Sequence, residues 1–257
     1  MDDQEIAVLA DVPHLLKSIR NAIYNNREII IHDDLWKNVK DENGKQILNT
    51  GVVQWKVFEE IVNWQKDKQL KIAPHLKPEH IKLTSWSKMN VNPARSVLSR
   101  ETATAIRFLV KHENKPQEWL TTAYFCETVE DWFNVMNNRK LSMAFTKNNK
   151  TAVENWTCFL EWFMVFFASI QFNKKQKGGL WKVQKGVLLS TTSVLYLVEK
   201  LFDLGYRYVL TARFTNDCIG KKHALKNKIY LHLILAAFGD AFRLYNFTEY
   251  FRAIDSV

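Results

Sequence analysis

The chain has 257 residues, 47% apolar and 13% aromatic, with only 8 Gly and 5 Pro, which excludes collagen-like, low-complexity and loop-dominated architectures and predicts a real buried core. Its 36 basic and 27 acidic residues leave a net charge of +9. That charge suits a polyanionic partner, nucleic acid or a phosphate-bearing ligand, and equally a soluble domain with a basic surface.

The acidic beginning, MDDQEIAVLADVPHLL, lacks the basic-then-apolar order of a signal peptide. Residues 5–10 read as a short apolar strand or a lead-in segment. Asp11 stands where an N-cap belongs, with Pro13 in the first turn. Val12, Leu15, Leu16, Ile19 and Ile23 then repeat at the spacing of one helical face, with Lys17, Arg20 and Asn21 on the other. Residues 26–50 are polar and contain a turn at Asp41–Lys45; the run IIIHDDLW before it reads as a short strand or as a loop leading to a helix.

From Val52 to Gln65 the spacing of Val53, Val57, Ile61 and Trp64 predicts a helix, and Pro78 with Glu79 marks another helix start. Asn92-Pro93 opens a further helix whose inward positions are Ala94, Val97, Leu98, Ala103, Ile106 and Leu109. A charged connector, Lys111–Pro116, leads to two long aromatic helices at about 117–138 and 151–172. The longest apolar stretch, Phe159–Ile170, is interrupted by Glu161 and falls short of the ~20 residues of a membrane span.

The basic, glycine-ended run at 173–179 is the natural boundary. After it, Leu180–Leu188 reads as a short strand. Ser190–Leu204 reads as a helix with Val194, Leu195, Leu197, Val198 and Leu201 inward, closed by Gly205. RYVLTARF alternates like a strand, and 221–257 begins basic and continues as an apolar helix. No internal repeat is present, and the expected fold is mainly α.

Generic motifs are absent: there is no GxGxxG, no GxxxxGK[ST], no HExxH and no GxSxG. The three cysteines, Cys126, Cys158 and Cys218, are scattered, so they form neither a disulfide framework nor a zinc site and fit a reducing intracellular compartment. His14, on the first turn of the first helix, suits a cap or surface role better than a ligand role.

Three stretches carry more: DVPHLLKSIRN (11–21), KMNVNPARSVLSRETATAI (88–106) and GVLLSTTSVLYLVEKLFDLGYRYVLTARFTND (186–217). With FNVMNNR (133–139), and in this order, they resemble P-element-type (THAP-family) DNA transposases over about residues 5–222. The resemblance implies a helical, GTP-binding insertion domain (1–178), a small α/β remnant of an RNase H-like fold (179–222) and a divergent C-terminal helix (223–257). It also implies nucleotide contacts. Asp11 and Lys17 match the family's acid and lysine at the start of the first helix, Asn134 stands where an Asp is usual, and Asp217 matches the aspartate of the third motif.

These roles are chemically sensible. A helix N-terminus presents free N–H groups to anionic oxygens, a lysine adds a point charge for phosphate, and a carboxylate suits the two donors of the guanine edge. Without the resemblance, Asp11 is a plain N-cap worth about 1 kcal/mol and Lys17 lies on a solvated helix face.

The resemblance also shows where this chain departs. The last catalytic Glu would stand at position 220, where this sequence has Gly220, and the two earlier catalytic aspartates would precede residue 1. Strand transfer of this type needs clustered carboxylates that hold Mg²⁺, so the expectation is a truncated fragment without catalytic or metal-binding residues. GTP, with or without Mg²⁺, is the expected cofactor, DNA or a full-length transposase the further partner, and the nucleus the location. Two readings compete with nucleotide binding. One is a helical interaction protein that has lost its ligand. The other is a regulator whose basic segments 173–185 and 221–228 contact DNA phosphates.

Overall fold

Helix α1 (Val12–Asn26) begins after Asp11 and buries the expected stripe of Val12, Leu15, Leu16, Ile19 and Ile23. The computed structural model describes residues 7–85, 87–172 and 179–215. The expectations for Cys218, for residues 221–257 and for the sites at Asp217 and Gly220 lie outside them. The other face of α1 is not solvated: Lys17 is 9% exposed and Arg20 0%, because residues 87–89 fold over it. Residues 7–10, leading into α1, are not a strand. The hydroxyl of Ser193 donates to the carbonyl of Val8, and that of Ser190 exchanges hydrogen bonds with the backbone of Ala10.

Strand β1 (Glu28–Ile30) pairs antiparallel with β2 (Val52–Gln54), Ile29 opposite Val53. Between them lie a one-turn helix, α2 (Asp33–Trp36), and the expected turn at Asp41–Lys45, where Gly44 takes a φ of 76°. The helix expected from Val52 therefore starts later, as α3 (Lys56–Gln65). The β-branched pair Val52-Val53 finds a better partner in Ile29-Ile30 than in a first helical turn. Gly51 permits this pairing, since a Cβ there would strike the Ile31 carbonyl oxygen and lie 2.5 Å from Cδ1 of Trp36.

After the one-turn helix α4 (Pro78–Ile81), the single helix expected from Asn92-Pro93 is two helices, α5 (Val91–Val97) and α6 (Arg100–His112). The break falls at Leu98-Ser99, where Ser99 Oγ accepts from the Thr102 N–H at 3.1 Å and caps the second helix. All six inward positions are buried as expected. The aromatic helices are present as α7 (Trp119–Met136) and α8 (Lys150–Ala168). Bridges from Arg107 to Glu127 and from Arg100 to Asp131 join α6 to α7 at the surface, where such pairs contribute little.

Leu180–Leu188 is not a strand: it belongs to α9 (Lys182–Asp203), continuous with the helix expected from Ser190. Gly186 sits inside that helix because α1 lies against it, and a Cβ there would come within 2.8 Å of Leu15 Cδ2. Gly205 follows with a φ of 90°, as the C-terminal signal required. Of RYVLTARF only β4 (Tyr208–Val209) is strand, paired with β3 (Phe145–Thr146), and Thr211–Phe214 form a 3-10 turn.

The core runs from α1 to α9. Trp132 of α7 stacks on Phe163 of α8 at 5.3 Å, Phe163 stacks on Phe167 at 5.6 Å, and Trp132 Nε1 donates to Thr191 Oγ1 of α9. The architecture is mainly α, with two two-stranded ladders among the described residues. No helix among them is long and apolar enough to cross a membrane.

Candidate functional site

The C-terminal turn of α7 is held from outside. The hydroxyl of Thr211 donates to the Val135 carbonyl and accepts from the Asn138 N–H at 3.0 Å, and the Ala212 N–H donates to the Asn138 carbonyl at 3.1 Å. The residues LTA of the third stretch are thus stitched onto FNVMNNR. Asn138 shapes the loop that follows, its amide accepting from the Lys140 N–H and donating to the Lys140 carbonyl.

On the opposite side, three residues of α1 grip the segment leading into α5. Lys17 Nζ donates to the Met89 carbonyl at 2.8 Å, Arg20 Nη2 to the carbonyls of Ser87 and Lys88 at 3.2 Å each, and Asn21 Nδ2 to Lys88 at 3.3 Å. Burial pushes the Lys17 ammonium below the usual lysine range, with Asp11 opposing the shift and Arg20 adding to it. Burial also lowers the Arg20 guanidinium to about 10. Its Nε and Nη1 are buried without hydrogen-bond partners among the described residues.

Between these two seams opens a pocket of about 580 Å³. Its wall combines Pro13 of α1, Val91, Asn92 and Arg95 of α5, Phe133, Asn134 and Asn137 from the end of α7, and the loop residues Asn138, Arg139, Lys140 and Met143. Three cations and four amides line it, and no carboxylate does among the described residues. The Arg95 guanidinium stands 5.4 Å from the centre of the Phe133 ring, a contact that orients it. Asn137 keeps its Oδ1 buried and without a hydrogen-bond partner among the described residues. A concave site with convergent cations and amides is suited to a ligand that is anionic at one end and a hydrogen-bonding heterocycle at the other.

The expected site residues distribute unevenly around this pocket. Asn134 is in its wall. Asp11 occupies the N-cap position of α1 without a capping hydrogen bond from its side chain; its carboxylate lies 3.7 Å from His14 Nε2 and close enough to raise the affinity of Lys17 for its proton. Lys17 holds the wall through Met89 and does not line the pocket itself. Asp217 lies outside the described residues. Reading the sequence by motif missed Arg95, Asn137, Arg139 and Lys140, although all four sit inside the quoted stretches NPAR and NNR or directly after them; the clustering of cations and amides there was the available signal.

Comparison with known proteins bears out the resemblance. Residues 34–151 match the family described as TNP-like, GTP-binding insertion domain. The chain is 22% identical over 219 residues to the Transposable element P transposase of Drosophila melanogaster, covering 85% of this chain and 27% of that protein. It is 25% identical over 228 residues to the human DNA transposase THAP9, covering 83% of this chain and 23% of that protein. The chain therefore spans about a quarter of the length of these curated relatives. Among solved structures it shares its fold with the Drosophila P element transposase strand transfer complex, with a TM-score of 0.65 and 21% identity over 92% of this chain and 48% of that one.

Proposed function

We propose that this relative of the P-element-type transposases binds a nucleoside triphosphate, GTP by family likeness, in the pocket between α1, α5 and α7, as a structural ligand that it does not turn over. One observation carries the reading: three cations and four amides converge on a single pocket, at the place where the resembling sequence stretches meet. The phosphates would lie toward Arg95, Arg139 and Lys140, where charge-assisted hydrogen bonds are strongest. Asp11 and Lys17 would act at the α1 edge of the site, and Asp217 would offer its carboxylate to the base. With no carboxylate among the described lining residues, a Mg²⁺ ion would be held by the phosphates.

In this reading residues 1–178 form the nucleotide-binding domain, 179–222 belong to the RNase H-like portion, and the chain works beside DNA or a full-length transposase in the nucleus. Strand transfer is not assigned to it, because Gly220 offers no side chain to a catalytic metal. A helical interaction protein is the second reading, favoured by the exposed Trp162 and Val165 of α8 (37% and 55%).

Titration of the purified chain with a fluorescent GTP analogue tests the proposal. Saturable binding weakened about tenfold by Arg95→Ala, the loss of one charge-assisted contact, supports it. A folded protein that binds nothing overturns it in favour of the interaction reading.

A further inference from the structure

We infer that Thr211, which takes no part in the pocket's wall, is a positioning residue for its cationic loop, so that nucleotide binding and the placement of residues 208–212 are coupled. The inference rests on the nucleotide reading above. Two of the three cations in the wall, Arg139 and Lys140, stand with Met143 on the loop that leaves α7. That loop follows the last helical residue, Met136, and lies beyond the reach of the helix's own hydrogen bonds. One segment of the third sequence stretch holds it at both ends. At its start, Thr211 Oγ1 accepts from the Asn138 N–H at 3.0 Å and the Ala212 N–H donates to the Asn138 carbonyl at 3.1 Å. At its far end, Phe145 of β3 pairs with Val209 of β4.

The Thr211 hydroxyl serves both sides of the helix end. While it accepts from Asn138, it donates to the Val135 carbonyl, one of the C-terminal carbonyls that a helix leaves without an internal partner. Asn138, itself buried, passes that position on to the loop. Its Oδ1 accepts from the Lys140 N–H at 2.8 Å and its Nδ2 donates to the Lys140 carbonyl at 3.1 Å. Thr211 is fully buried, so bulk water does not replace the hydroxyl when it is removed. The loop then samples arrangements in which Arg139 and Lys140 no longer converge with Arg95, and affinity falls by the fraction of time the converged arrangement is kept. Linkage requires the reverse as well: a ligand that holds Asn137–Lys140 tightens the hold of that loop on Thr211 and Ala212.

Titration of the wild type, Thr211→Val, Thr211→Ser and Gly51→Ala with a fluorescent GTP analogue tests this, together with hydrogen exchange of the wild type with and without saturating GTP. Thr211→Val is expected to bind about fivefold or more weakly, as for a loop that is competent about a fifth of the time. Thr211→Ser, which keeps the hydroxyl, should bind nearly as the wild type does. So should Gly51→Ala, which crowds the hairpin away from the wall. In the wild type, GTP should slow exchange at the Ala212 N–H and leave the β1–β2 ladder unchanged. Wild-type affinity in Thr211→Val, or a weakening shared equally by Thr211→Ser or Gly51→Ala, overturns the inference and leaves the nucleotide reading standing. Exchange at Ala212 that GTP leaves unchanged, or slows no more than in the β1–β2 ladder, while residues 137–140 are protected, does the same, and needs only the wild type should Thr211→Val fail to fold. Failure of the analogue to bind a folded wild type overturns both.

Discussion

Lys17 and Met89 are joined by a 2.8 Å hydrogen bond from ammonium to carbonyl, and through it the first helix holds the segment that opens the wall of the pocket. Arg20 and Asn21 end on the same segment, at Ser87 and Lys88. Replacing Lys17 by Met keeps the aliphatic stem and removes the donor, so hydrogen exchange at residues 87–91 is expected to quicken about tenfold while that of α7 is unchanged, a loss of roughly 1.5 kcal/mol for a charge-assisted bond. Unaltered exchange at 87–91 would mean that Lys17 does not hold the wall.

The same lysine gives a pH dependence of definite sign. Its folded pKa lies below the ordinary 10.5 because burial penalises the charged form. Below the folded pKa both states carry the proton and that penalty is fully present. As pH rises from the folded value toward 10.5, the folded state releases its proton first, the unfolded chain binds more protons, and stability increases. Urea unfolding of the wild type and Lys17→Met should therefore show the difference between them moving in favour of the wild type as pH approaches 10.5. Parallel pH profiles would contradict the burial of this charge.

Thr211 links the third sequence stretch to the second. Its hydroxyl both accepts from the Asn138 N–H and donates to the Val135 carbonyl, and the residue is 0% exposed. Thr211→Val keeps the shape and leaves both backbone groups without that partner, with an expected cost of about 2–3 kcal/mol in denaturant unfolding. Thr211→Ser should retain most of that stability. Equal losses in the two variants would show that packing of the methyl, and not the hydroxyl, holds the loop.

Gly51 is the tightest backbone approach in the hairpin. Its missing Cβ leaves room for the carbonyl of Ile31 and the ring of Trp36, and the Ile31 N–H donates to the Gly51 carbonyl at 2.8 Å. Gly51→Ala forces the backbones apart and is expected to cost about 2–4 kcal/mol, as overpacking against main chain does. Gly44, at the exposed turn with nothing within 4 Å of an added Cβ, pays only for its positive φ, and Gly44→Ala should cost about 1 kcal/mol. Thermal unfolding of the two variants should rank them in that order.

Local pattern carried the long elements. The stripe Val12–Ile23 and the aromatic runs of α7 and α8 repeat over several turns and bury as their spacing requires. Short apolar segments were ambiguous because their fate is decided by partners distant in sequence: Val52-Val53 joins a ladder with Ile29-Ile30, while Gly186–Leu188 stays helical against Leu15. The break at Ser99 was written in its capping side chain but overridden in the reading by the continuing apolar period.

The site was legible only in pieces. Asn134 came from a motif comparison. Arg95, Asn137, Arg139 and Lys140 become a site only when α5 is held by α1 and the end of α7 by Thr211, contacts that span 72 and 73 residues of sequence. Helical periodicity cannot report such contacts.

The most direct test of the account is hydrogen exchange of the chain with and without saturating GTP. Protection concentrated at residues 91–95 and 133–143, the two lips of the pocket, is the predicted result. Protection on α8 or around residues 37–47 with none at those lips, or no change anywhere in a folded protein, would contradict the placement of a nucleotide between α5 and α7.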